Sequence, residues 1–194
     1  HFAIPFPKVD TKINEDTKYW IMGISEDAKG NIWFLRDGYG VCKYDGNSFI
    51  HFLKKDGLNS NNATQIEFDK DGNVWIGTRV AERDDPDPQK RFGKGGINKM
   101  IGNDIISFPE IKGFNDGDVY QIYRDKSDNI WISTVKNGVY RYDGKDFKHY
   151  EVPISIMGMM EDRKGNLWLG GAGGLYRINQ NGEVINVTKK GPWK

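Results

Sequence analysis

The sequence is nearly free of cysteine: Cys42 is its single one, so no intramolecular disulfide can form. Cys42 lies beside Val41 and Tyr44 in a strand-like stretch and reads as a small buried hydrophobe rather than a nucleophile or metal ligand. The lack of cysteine pairs does not assign a compartment, because many exported proteins have none. An excess of either charge is also missing. Lys+Arg 28 against Asp+Glu 27 leaves a formal charge of +1, so no whole-molecule field draws the chain to a polyanion, and nucleic acid is not an expected partner. No apolar run approaches the ~18 residues needed to cross a bilayer, so neither a membrane span nor a signal peptide is expected within these residues. The chain begins at His1 rather than at methionine, an opening expected either of a processed protein whose leader has been removed or of a trimmed chain. No stretch of ten or more residues sustains a 3.6-residue hydrophobic period, which argues against a helical fold.

What is present in quantity is glycine, 24 residues, together with 13% aromatics. That combination suits packed strands joined by tight turns and is foreign to a disordered chain. At 194 residues the chain can hide roughly 70% of the surface its unfolded form exposes. The first feature to look for is a repeat. Four segments align without gaps: EDAKGNIWF (Glu26–Phe34), FDKDGNVWI (Phe68–Ile76), RDKSDNIWI (Arg124–Ile132) and EDRKGNLWL (Glu161–Leu169). Their anchors, Trp33, Trp75, Trp131 and Trp168, are separated by 42, 56 and 37 residues, and the long middle spacing contains a 14-residue insertion.

Each copy opens with a short alternating or apolar run: Tyr19–Ser25, Thr64–Phe68, Val119–Tyr123 and Ile154–Met160. A turn containing Gly-Asn or Asp-Asn follows, then the Trp strand, whose β-branched and aromatic neighbours favour a pleated ribbon. A third strand begins at a glycine in GVCKYD, GINKM, GVYRYD and GLYRIN, and a turn such as DGNS, DGKD or NQNG leads to a fourth in SFIHFL, DIISF, DFKHY or EVINVT. Four antiparallel strands per copy make a propeller blade. The predicted fold is therefore an all-β β-propeller of about four four-stranded antiparallel blades, either a small closed propeller or half of an eight-bladed dimer, so a homodimer is one expected partner state. The expected blade boundaries are about 19–58, 59–115, 116–153 and 154–194. Residues 1–18 have no counterpart among the copies. Phe2, Ile4 and Phe6 alternate there, which suits an edge strand or a clasp, while Pro5 and Pro7 confine the segment to an edge.

Asp27, Asp69, Asp125 and Asp162 stand six residues before each Trp. Their expected role is turn chemistry, a carboxylate closing the loop onto backbone N–H groups. DKDGN at Asp69–Asn73 also suggests calcium, but the bidentate Glu that closes a calcium loop of the helix–loop–helix type is missing. The four Trp residues are expected to wedge between blades.

These residues resemble the two-component regulator propeller repeat, which runs from an E-D turn through G-N-hydrophobic-W-hydrophobic-G-T to G-hydrophobic-x-R-Y-D. GNIW and GVCKYDG match in blade one, DGNVWIGT in blade two, DNIWIST and GVYRYDG in blade three, and EDRKGNLWLGG with GGLYRIN in blade four. The resemblance covers Trp20 to Val187. It implies a propeller like those of the periplasmic sensors of bacterial hybrid histidine kinases, where paired large propellers bind polysaccharide fragments, and hence a periplasmic or extracellular setting.

In a propeller, the loops between second and third strands and those joining blades share one face, the usual binding face. The insertion falls in that loop of blade two, from Arg79 to Lys94, and long loops concentrate function. Its charge is mixed: Glu82, Asp84, Asp85 and Asp87 against Arg79, Arg83, Lys90, Arg91 and Lys94. The candidate ligand-binding residues are Arg36, Asp37, Tyr39, Arg79, Arg83, Asp84, Asp85, Arg91, Lys136 and Asn137, and Ala172 belongs to the same face in blade four. A solvated surface loop is the competing reading of the insertion. Asp84, Asp85 and Asp87 offer closely spaced oxygens for a hard cation, yet Pro86 and Pro88 and the lack of glycine among residues 84–88 disfavour a tight metal loop, so no metal and no cofactor are expected. Asn59, Asn61 and Asn62, with Phe114, Asn115 and Asp116, fall between blades. Amides, aromatic faces and Arg forks suit sugar hydroxyls, so an oligosaccharide or protein ligand is the expected partner. Gln65, Tyr120, Gln121, Met22 and Met157 belong to first strands and are expected to line a channel, more as core than as ligand contacts.

No G-x-S-x-G elbow, H-E-x-x-H or phosphate loop is present. His51 and His149 occupy equivalent positions on outer strands, which points to packing or exposure rather than catalysis. The expected function is a non-catalytic, sensor-like binding or interaction module. The alternatives are a carbohydrate-active lyase or hydrolase, which would need a suitably spaced carboxylate pair, and a structural oligomerisation unit.

Overall fold

The structure, a computed structural model, describes residues 4–9, 19–79, 95–108, 118–135 and 138–188. Among them are sixteen strands in four four-stranded sheets, each antiparallel and in sequence order. The first blade holds β1 (Ile21–Glu26), β2 (Ile32–Arg36), β3 (Gly40–Tyr44) and β4 (Phe49–Phe52). The second holds β5 (Ala63–Phe68), β6 (Val74–Thr78), β7 (Gly96–Ile101) and β8 (Asp104–Ser107). The third holds β9 (Val119–Arg124), β10 (Ile130–Thr134), β11 (Val139–Tyr142) and β12 (Phe147–Tyr150), and the fourth β13 (Ser155–Glu161), β14 (Leu167–Ala172), β15 (Gly174–Ile178) and β16 (Val184–Asn186). The one helical piece among the described residues is a 3-10 turn at Lys54–Asp56. The chain divides into two compact units: residues 1–110 with 117–119, which contain blades one and two, and residues 111–116 with 120–194, which contain blades three and four apart from Val119.

The expected turn chemistry is present in all four blades and goes further than backbone capping. Asp27 accepts hydrogen bonds from the backbone N–H groups of Lys29 and Asn31, from the Asn31 amide, and from the Trp33 indole at 2.9 Å. The same carboxylate-to-indole bond measures 3.1 Å from Trp75 to Asp69, 2.7 Å from Trp131 to Asp125 and 2.9 Å from Trp168 to Asp162. A buried indole N–H needs such an acceptor, since leaving it unpaired costs about 1–3 kcal/mol. The turn also needs a residue with positive φ. Glycine supplies it at Gly30, Gly72 and Gly165, and Asp128 does so at φ 64 in blade three. Opposite each Trp, on the neighbouring strand, stands a cation: Lys43, Lys99, Arg141 and Arg177. Their charged groups lie 5.4, 4.9, 5.9 and 5.7 Å from the ring centres, within reach of cation–π attraction.

In the first unit Trp33, Leu35, Val41 and Phe52 of blade one pack with Leu58, Ala63, Ile66, Val74, Ile76 and Met100 of blade two. In the second unit Trp131, Val139 and Tyr150 of blade three pack with Ile156, Leu167, Leu169, Tyr176 and Ile178 of blade four. The Trp face of one blade thus seals the opposite face of the next, which makes Trp33 and Trp131 the expected wedges. A register shift recurs between the first two strands of blades one, two and four, at Ile21/Gly23, Ala63/Gln65 and Ile156/Gly158, a bulge that adds local twist. The glycine opening β3 is required: Gly40 has φ +66, and a Cβ there would lie 2.3 Å from the Phe52 carbonyl oxygen.

Candidate functional site

Four of the sequence-selected residues, Arg36, Asp37, Tyr39 and Arg79, converge at one end of the first unit. β2 ends at Arg36, the β2–β3 turn carries Asp37 and Tyr39, and β6 runs out into Arg79 one residue after Thr78. Arg79 Nη2 donates to both oxygens of Asp37 at 2.8 Å, a fork that joins the two blades. The strand exits are pinned beside it: Gly40 N–H donates to the Asn61 carbonyl at 2.7 Å, and Arg79 N–H to that of Asn62 at 2.9 Å. Arg36, Asp37 and Tyr39 are buried, and burial pulls the Arg36 pKa below its ordinary value. They support the site more than they face outward.

Pro5 and Phe6 lie against Arg36 and Tyr39. Arg36 Nη1 donates to the Pro5 carbonyl at 3.0 Å, and its guanidinium lies 4.0 Å from the centre of the Phe6 ring and 4.9 Å from that of Tyr39. Phe6 meets Tyr39 edge-on at 5.0 Å and Tyr19 at 5.6 Å. Phe6, Tyr19 and Trp20 are well exposed, Tyr19 at 69% and Trp20 at 56%. Two exposed aromatic rings, Phe6 and Tyr19, therefore sit beside a buried guanidinium next in the chain to a carboxylate–guanidinium pair. Rings so placed can stack on the apolar face of a sugar or on a protein side chain. Sequence reasoning placed Phe6 in an edge element and Tyr19 and Trp20 in a strand, which begins only at Ile21, and did not select them as candidates. The clue was their position at the junction between the unmatched segment and the first repeat.

Arg83, Asp84, Asp85 and Arg91 of the insertion, with Lys136 and Asn137, lie outside the described residues, as do Phe114, Asn115 and Asp116. The amides at 59 and 61 are committed internally. Asn59 Nδ2 donates to the Ile97 carbonyl and its Oδ1 accepts from Ser107, while Asn61 Oδ1 accepts from Lys54 N–H. Met22 and Met157, expected among the channel-lining residues more as core than as ligand contacts, are exposed.

Cys42 is buried as expected, and burial, only partly offset by Arg36, pushes its thiol up to about 11. Its Sγ lies 3.9 Å from His51 Nε2, but burial and then Arg36 pull the imidazole down. A protonated thiol beside a poorly basic imidazole is no nucleophile at neutral pH. The equivalent His149 stacks on Tyr140 at 4.5 Å. Among the described residues no group of three or more His, Cys, Asp or Glu is placed to hold a metal ion.

In the second unit a groove of about 300 Å³ runs past Trp131, Arg141, Tyr150, Glu161 and Gln180. Its polar groups largely serve the fold. Glu161 accepts from the Lys126 N–H at 2.8 Å, and Gln180 donates to the Lys164 carbonyl.

Fold and repeat chemistry together define a β-propeller-type repeat protein. The family model described as two component regulator propeller matches residues 57–79 and 113–136. No curated protein matches it in sequence. Among solved structures it is similar to the extracellular domain assigned to the hybrid two component system BT4673 of B. thetaiotaomicron, at 18% identity and TM-score 0.70, over 87% of this chain and 23% of that one. It is also similar to virginiamycin B lyase from Staphylococcus aureus, at 18% identity and TM-score 0.67, over 91% of this chain and 57% of that one. A third likeness is to the gluconolactonase XC5397 from Xanthomonas campestris, at 16% identity and TM-score 0.58, over 84% and 60%. The chain thus spans less than a quarter of the extracellular domain and under two thirds of the two enzymes. Among its described residues no helix is long and apolar enough to cross a membrane.

Proposed function

We propose that this chain is a non-catalytic, sensor-like binding module that works in the periplasm or outside the cell and recognises a polar ligand, a glycan or a protein surface. The observation that carries the reading is the exposed pair Phe6 and Tyr19, with exposed Trp20 next in sequence, beside Arg36 and the Asp37–Arg79 pair. Stacking faces next to fixed hydrogen-bonding groups are what an oligosaccharide needs. The two component regulator propeller repeats and the likeness to an extracellular sensor domain support the setting. The inserted segment, with Arg83, Asp84, Asp85 and Arg91, continues from Arg79 and belongs to the same proposed surface.

The test is a thermal-shift screen against an oligosaccharide panel, with product analysis of every hit. A ligand that raises the Tm and is recovered intact supports the proposal. Binding then falls at least tenfold in Tyr19→Ala and Trp20→Ala, whose exposed positions leave the ligand-free Tm within about 2 °C. Recovery of cleaved product instead favours a lyase or hydrolase. Ligand affinity unchanged in both variants removes the aromatic group from the site.

A further inference from the structure

Each unit holds two consecutive blades, and one exchange of residues distinguishes the seams inside them. Because the four Trp turns align without gaps, Phe68 of the second copy corresponds to Glu161 of the fourth, and Ala28 of the first to Lys126 of the third. In the first unit the Phe68 ring meets Trp33 edge-on at 6.0 Å and packs against the core of blades one and two. In the second unit Glu161 takes that place, its side chain 11% exposed, and the groove of about 300 Å³ runs past it and Trp131. A carboxylate stands where the first unit has a ring, and the seam stays open.

The charges along this groove are unevenly matched. Glu161 accepts from the Lys126 N–H at 2.8 Å and has Lys126 Nζ at 3.7 Å. Asp125 accepts from the Ser127 and Asn129 N–H groups, the Asn129 amide and the Trp131 indole. Arg141 is different. Its counterpart in blade two, Lys99, pairs with Asp69 at 2.9 Å, but among the described residues Arg141 forms no such pair, and its buried Nε meets no acceptor. Lys148 adds a second cation at the rim. Its Nζ lies 4.9 Å from the centre of the Tyr150 ring and would be 3.2 Å from a Cβ at Gly182, and both Tyr150 and Gly182 line the groove. The carboxylates are already bonded, so the unmatched charge is positive.

We propose that this groove binds a small organic carboxylate the size of one sugar ring, such as a uronic acid. The planar fork of Arg141 takes the carboxylate, Lys148 adds charge at the rim, and Trp131 and Tyr150 wall the ring. A volume of about 300 Å³ stands at the lower end of ligand pockets and suits a single ring rather than a long chain. The site shares no residue with the Phe6–Tyr19 group, so either reading can fail without the other.

The test is calorimetric titration of the full chain with glucuronate at low salt, where screening is weakest, with glucose and inorganic sulfate as controls. Glucuronate binds, and glucose and sulfate bind about tenfold more weakly or not at all. Arg141→Gln lowers glucuronate affinity about tenfold or more, and Tyr19→Ala leaves it unchanged. Because Arg141 also lies over Trp131, a second variant fills the groove instead. Lys126→Ala with Glu161→Phe rebuilds the seam of the first unit without altering net charge; it keeps the parent's Tm or raises it, and glucuronate binding is lost. No binding of glucuronate overturns the proposal. So does glucose or sulfate binding as tightly, or parent affinity in Arg141→Gln or in the folded double variant.

Discussion

Asp69 offers the sharpest test of how the repeat is held together. Its carboxylate is 10% exposed and lies 2.9 Å from Lys99 Nζ, and it also accepts from the Asp71 and Asn73 N–H groups, the Asn73 amide and the indole of fully buried Trp75. Burial alone would raise its pKa, but the bonds from Lys99, Asn73 and Trp75 outweigh it and bring the value from 3.8 to about 2. That gap corresponds to roughly 2 kcal/mol in favour of the ionised folded form. The folded value lies below the unfolded one, so the contribution is fully present above about pH 4 and is lost as pH falls through about 2. Asp69→Asn keeps the shape and removes the charge. Urea unfolding followed by Trp emission is expected to show a loss of about 2 kcal/mol at pH 7, a midpoint shift of roughly 1 M. The difference between variant and parent should shrink toward zero near pH 2. A variant within 0.5 kcal/mol of the parent at pH 7, or an equal difference at both pH values, would refute the assignment.

Gly40→Ala meets both a positive φ and the Phe52 carbonyl, so a loss of about 2 kcal/mol or more is expected in thermal unfolding, against about 1 kcal/mol for Gly46→Ala, where φ is +95 but nothing lies within 4 Å. Asp128→Gly should raise the Tm, because it relieves a left-handed aspartate at the cost of a partly exposed 3.6 Å pair with Arg124; the expected gain is about 0.5–1 kcal/mol, and a lower Tm would contradict it. Cys42, buried with its thiol pushed up to about 11, is expected to resist a disulfide reagent at pH 8 in the native state and to react at once in urea.

The blades were legible because their signals are local. An apolar–turn–Trp–Gly pattern at near-constant spacing specifies four strands and their pairing wherever it occurs, and all four sheets follow it. The Asp residues were read as loop closers from their spacing alone, although their bond to the indole six residues on became visible only when the turn was folded. The cation opposite each Trp was in the sequence too, at the same place in GVCKYD, GINKM, GVYRYD and GLYRIN, but its meaning depends on strand register. Arg36, Asp37, Tyr39 and Arg79 were chosen because loops between second and third strands share one end of a propeller, and the fold brings these four together.

The amino-acid sequence by itself determined the all-β class, the number of repeats, the strand order within each blade and the structural role of the repeated Asp and Trp, since each rests on neighbours within about twenty residues. Tertiary structure decided which chemically equivalent positions are covered. Ile24 and Ile66, or Trp168 and Trp33, are alike in sequence context and differ in burial, because burial depends on whether another blade lies against that face. It likewise decided that Arg36 is buried beneath Phe6, thirty residues away, a contact that no local pattern encodes.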